Sequence, residues 1–173
     1  MSLLGWLGLE DHRPSGGRED ADAVRRISEA LDRMEPERAR FVAAFAYLLG
    51  RVAYADRQVT ADETAVMERL VMERGGILEE QAVLVVQIAR AQNLMFGGTE
   101  DFLVARQFAA MASREQKLAL LDCLYAVSAA DQSVTVVEDN EINRIASELR
   151  LEHSDLVAAR QRYREYLSVL RRP

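Results

Sequence analysis

Two stretches of this 173-residue chain carry one spaced pattern, Ala-Asp-x-x-Val-Thr-x-x-Glu, once from Ala55 to Glu63 and again from Ala130 to Glu138. Asp56, Glu63, Asp131 and Glu138 are the side chains whose type and spacing suit binding chemistry. Carboxylates and turn carbonyls are hard oxygen ligands, so the ion they fit is Ca²⁺ or Mg²⁺. Each Asp falls near the C-terminal end of a helical stretch, where the helix dipole disfavours a carboxylate and a cation offsets the cost. The same pattern has an architectural meaning. Thr60 and Thr135 are placed to cap the helices that follow, with Glu63 and Glu138 reaching back to the cap residue's own N–H. Asp56 and Asp131 are placed to accept a backbone N–H two residues on and close the turn. Both readings stay open at this point. An EF-hand is excluded, because counting Asp56 as position one puts Ala61 where Gly is needed and Met67 where the bidentate Glu belongs. The second copy puts Val136 and Ile142 there.

The elements that position these residues are helical. Phe41, Phe45, Leu48 and Val52 lie on one face of a helix predicted from Glu37 to about Ala55. Thr60 opens a helix that stops at Gly75-Gly76, and a further one runs from about Glu79 to Gln92. Gly97-Gly98 breaks the chain before a helix that ends ahead of Ser113, and Ser113-Arg114-Glu115-Gln116 is a capping-box sequence opening one that runs to about Ala130. Thr135 opens the next, and Ser154-Asp155 a last helix holding Leu156, Tyr163, Leu167 and Leu170. A helix from Asp20 to Met34 precedes them all and stops before Pro36, and no segment reads as a strand. Laid on itself with an offset of 75 residues, Ala44 through Glu73 matches Ala119 through Glu148 at 10 positions. Random pairing at this composition gives about two or three. The expected fold is a compact all-α bundle of about seven helices with an internal pseudo-twofold helix-turn-helix repeat. Residues 1–18 form a separate N-terminal segment and 19–173 the helical domain.

Composition narrows the function classes. A net charge of −6 argues against nucleic-acid binding through a basic surface. Cys123 is the single cysteine, lies among leucines and reads as a buried thiol in a reducing compartment. With two His, the common zinc chemistries lack material, and His153 reads as a local contact at a helix start. No Gly-x-Ser-x-Gly, phosphate loop or His-Glu-x-x-His occurs, so an enzyme is not expected. No apolar run reaches the roughly 18 to 20 residues that span a bilayer. Met1 to Leu9 is apolar without a basic leader and is followed by Glu10-Asp11, which favours a cytoplasmic address. Trp6, the only Trp, gives this segment a means of docking onto the domain, a partner or a membrane surface. Arg160, Arg162, Arg164, Arg171 and Arg172 interleave with Tyr163 and Tyr166 near the C-terminus, where cations suit a helix end or an acidic partner or anionic lipids.

The acidic turn after an apolar helix, occurring twice, resembles the TerB-like domain of the tellurite-resistance TerB and DjlA N-terminal superfamily. The resemblance is carried best by Leu121 to Asp131, Glu138 to Ala146 and Leu151 to Arg160, and spans about Ala39 to Arg164. It implies a mostly seven-helix fold, acidic residues that bind divalent cations, and service as a non-catalytic module in stress-response assemblies at the cytoplasmic face of the membrane, through protein partners. The family usually places Gly after the turn Asp, where Arg57 and Gln132 stand in this chain. Losing Gly narrows the conformations open to the turn, so a weak site is expected. Two rivals remain: a metal-free helical adaptor, and a metal-dependent hydrolase, which needs an open cleft where the four acids converge.

Overall fold

The computed structural model describes residues 29–96 and 99–170. The expectations for the Trp6 segment, the start of the first helix, Gly97-Gly98, Arg171 and Arg172 lie outside the described residues. After a helical turn at 29–32, seven α-helices follow in order: α1 (Pro36–Ala53), α2 (Ala61–Gly75), α3 (Glu79–Phe96), α4 (Thr99–Met111), α5 (Arg114–Ser128), α6 (Val136–Glu148) and α7 (His153–Arg162). The fold is all-α, and among the described residues the one extended pairing is a parallel bridge between Val134 and Leu167. No described helix is long and apolar enough to cross a membrane.

Helix α1 is the axis of the bundle, packed against α2, α3, α4, α5 and α6. The face expected from Phe41, Phe45, Leu48 and Val52 is only part of what it buries. Ala43, Ala44, Ala46, Tyr47, Leu49, Gly50 and Ala53 are buried too, so the helix is enclosed nearly all round. Its small residues let neighbours approach closely. A Cβ on Gly50 would stand 2.5 Å from Asn93 Nδ2, and that amide donates to Tyr47 O and Ala89 O at 3.2 and 2.8 Å. One charge is carried inside with the helix. Arg51 donates to Glu148 Oε2 at 2.7 Å, to Asp101 O at 3.1 Å and, through Nε, to Glu141 Oε1 at 2.9 Å. It thereby ties α1 to α4 and α6, and Tyr47 Oη adds a 2.8 Å bond to Asp101.

The helix starts follow the capping chemistry expected of them. Thr60, Ser113 and Thr135 each form a reciprocal box with the residue three positions on. Gly76 takes the left-handed conformation (φ 60°) that ends α2. Boundaries shift in three places. Helix α1 starts at Pro36, which fits a first helical position because its missing N–H is unbonded there anyway. Helix α3 runs one turn past Gln92. The last helix was expected to reach Leu170 and instead ends at Arg162. Beyond it the chain makes two short 3-10 turns so that Leu167 can pair with Val134, with Val134 N donating to Tyr166 O at 2.7 Å and Ser168 N to Val134 O at 2.9 Å. That pairing lays the C-terminal segment across the second acidic turn. Nearby, buried Asp139 accepts from Tyr125 Oη at 2.9 Å and from Arg160 Nη2 at 2.8 Å, joining α5, α6 and α7. Two of the basic residues near the C-terminus are thus spent internally, since Arg162 pairs with Asp122 at 2.9 Å.

Candidate functional site

The two turns repeat one local geometry. Asp56 Oδ1 accepts the Gln58 N–H at 2.9 Å, and Asp131 Oδ1 accepts the Ser133 N–H at 3.0 Å. These are the bonds expected of a turn-closing Asp. The residue after each Asp is left-handed, Arg57 at φ 64° and Gln132 at φ 67°. The backbone adopts the glycine conformation and bears its steric cost.

Each turn leads into a capping box whose Glu is the site's central ligand candidate. Thr60 N and Oγ1 both donate to Glu63 Oε2, at 2.6 and 2.9 Å, while Glu63 N donates to Thr60 Oγ1 at 3.1 Å. In the second turn Thr135 N and Oγ1 donate to Glu138 Oε2, both at 2.8 Å, and Glu138 N donates to Thr135 Oγ1 at 3.2 Å. These bonds hold each carboxylate in a fixed orientation. They also draw it inward, for Glu63 is 3% and Glu138 2% exposed.

The packing of α2 against the 3-10 turn Ala129–Asp131 brings the two sites together. The two buried Glu carboxyls influence each other, and the charge of Asp131 bears on Glu63. Glu138 feels both Glu63 and Asp56. Burial pushes the Glu138 carboxyl up to about 7, opposed by its bonds from Thr135 and reinforced by Glu63 and Asp56. Glu63 is raised as well, chiefly by burial, with the Thr60 bonds opposing. None of the described ion pairs involves any of the four acids.

What sequence reasoning named separately is linked through the buried Glu63 and Glu138, on which the charges of Asp131 and Asp56 bear. It did not anticipate that both Glu would be buried against one another. The signal lay in the repeat itself, since equivalent residues of two similar halves often meet where the halves pack. Whether this set fits a divalent cation is a question of charge and donor type. Four carboxylates without an ion-pair partner among the described residues suit a hard cation by charge and donor type. Among the described residues, however, no three His, Cys, Asp or Glu side chains are gathered into a ready coordination shell. Arg51 and Asp139 are buried polar groups that the sequence did not flag, and both serve architecture.

An all-α domain with two acidic, Thr-capped turns brought side by side defines a helical module with a shared carboxylate centre. The family described as tellurite resistance protein TerB matches residues 41–161, more than half the chain. The chain belongs to this family. Comparison with curated proteins and with solved structures finds no match.

Proposed function

We propose that this TerB-family domain is a non-catalytic interaction module whose two acidic turns hold one divalent cation, Ca²⁺ or Mg²⁺, through Asp56, Glu63, Asp131 and Glu138. The observation that carries the reading is the buried Glu63–Glu138 pair, set beside two more carboxylates and without a cationic partner. Two ionised carboxylates in such surroundings repel each other and lose their hydration, so the pair calls for a proton or a cation. A bound ion would supply that charge. Because Glu63 lies in the first turn of α2 and Glu138 in that of α6, their shared centre couples the two helix pairs, and occupancy would bias how they sit for a partner. A tellurite-resistance-type stress response, with protein partners at the cytoplasmic face of a membrane, is the setting its family suggests.

The second reading is the metal-free adaptor, favoured by the lack of a gathered shell among the described acids. In it the Glu pair keeps a proton and the turns only brace the bundle. Thermal melts of the parent and of Asp131→Asn separate the two. Asn retains the oxygen that accepts the Ser133 N–H and removes the charge. On the cation reading, millimolar Ca²⁺, Mg²⁺ or Mn²⁺ raises the parent's melting temperature with concentration, by linkage, and raises the variant's much less. A parent that ignores all three ions leaves the adaptor.

A further inference from the structure

A groove of about 880 Å³ is lined by both basic and apolar side chains. Phe41, Ala110 and the 37% exposed Met111 are its apolar lining. Arg38, Arg40 and Arg74 are its basic lining. Arg38 is fixed in place, its Nε and Nη2 donating to Gly75 O at 3.0 and 2.7 Å. Arg40 and Arg74 are exposed and have no carboxylate partner among the described residues. Two acids also border the groove, and one of them, Glu35, is occupied in capping α1 through the N–H groups of Glu37 and Arg38. Volumes of this size accept a compact ligand or a few docked side chains. The surface asks for an apolar group followed closely by negative charge.

We propose that the occupant is the chain's own N-terminal segment, with Leu3-Leu4-Gly5-Trp6-Leu7-Gly8-Leu9 on the apolar lining and Glu10 and Asp11 against Arg40 and Arg74. The segment joins an apolar run to two adjacent acids, the complement of a groove lined by Phe41, Ala110 and Met111 together with three Arg. The described chain begins at Glu29, six residues before Glu35 at the groove's edge. The 17 residues between Asp11 and Glu29 span up to about 60 Å when extended. That exceeds the breadth of a domain this size, on the order of 40 Å. Tethering makes the contact intramolecular, so a modest apolar contact suffices where a free peptide would dissociate.

Trp6 is the only Trp, so the full chain reports on its own docking through intrinsic fluorescence. In the parent its emission lies to the blue of a free tryptophanyl peptide and acrylamide quenches it weakly. Met111→Glu, at an exposed position in the apolar lining, shifts the emission red and restores quenching while the far-UV circular dichroism stays that of the parent. Arg40→Glu acts the same way, and adding Glu10→Arg with Asp11→Arg to that variant recovers protection. A parent Trp6 quenched like the free peptide overturns the proposal. So does a protected Trp6 indifferent to both Met111→Glu and Arg40→Glu, which means docking elsewhere. Protection lost on dilution assigns the groove to a second copy's segment and rejects docking within the chain.

Discussion

Glu138 and Glu63, 75 residues apart in sequence, are both buried, and the charge of Glu63 bears on the Glu138 carboxyl. Two buried carboxyls that feel each other favour a proton on one of them, and Glu138, pushed up to about 7 by burial and by the charges of Glu63 and Asp56, is the group that keeps it. An acid whose pKa is raised on folding contributes stability that is fully present below its unfolded value and is lost as pH rises through the folded one. The window for Glu138 therefore runs from the ordinary Glu range to about 7. Thermal melts from pH 5 to pH 8 without added metal should fall more steeply in the parent than in Glu138→Gln, which is neutral throughout. The difference between the two slopes amounts to about 2 kcal/mol over that window. Parallel curves would remove the shared proton from the account.

The Thr residues of the two boxes do more than cap. Each hydroxyl accepts from the N–H of its Glu and donates to the same Glu's carboxylate, so it both starts a helix and satisfies a buried acid. Thr135→Ala and Thr60→Ala should each cost about 1 kcal/mol or somewhat more in urea unfolding, the upper end reflecting the lost donor. Ser at either position should recover most of it. Unchanged midpoints in both Ala variants would reject the capping assignment.

Arg51 is the charge whose removal should hurt most. Its side chain is 2% exposed and meets Glu141 and Glu148, which are themselves 15% and 13% exposed. Arg51→Ala leaves two shielded carboxylates facing each other across an emptied site, and a loss of about 3 to 5 kcal/mol is expected. Adding Glu141→Gln and Glu148→Gln should return a substantial part of it, because the penalty lies in the orphaned charges. A loss under about 1 kcal/mol would mean that water reaches the cluster.

The helices were legible in the sequence because their boundaries are written in local chemistry: Thr60, Ser113 and Thr135 at starts, Gly76 at a stop. The acidic turns were legible for the same reason, down to the N–H each Asp accepts. What required the folded chain was everything decided between distant elements. Periodicity marks one apolar face of α1, but Arg51 is buried only because Glu141 and Glu148 of α6 arrive to meet it. Leu156, Tyr163, Leu167 and Leu170 fit a helical spacing, yet the last helix stops at Arg162 since Val134 offers Leu167 a better partner in extended form. Glu63 and Glu138 look like ordinary capping acids until α2 packs against the second turn.

The left-handed residue in the first turn offers a test of what the turn costs. Arg57 sits at φ 64° with its side chain exposed, in a region where a Cβ is penalised by roughly 1 to 2 kcal/mol. Arg57→Gly removes that penalty but gives the unfolded chain more freedom to lose, a counter-effect of about 0.5 to 1 kcal/mol. The net expectation is a gain of about 0.5 kcal/mol, read as a higher urea midpoint at unchanged slope. Arg57→Val should move the other way, because a branched Cβ tolerates positive φ worst of all. The contrast in sign is the informative result, as loss of the Arg charge is common to both variants and cancels between them. Should Gly and Val be equally stable, the turn would be relaxing out of the left-handed region, and Asp56 would no longer be held to accept the Gln58 N–H.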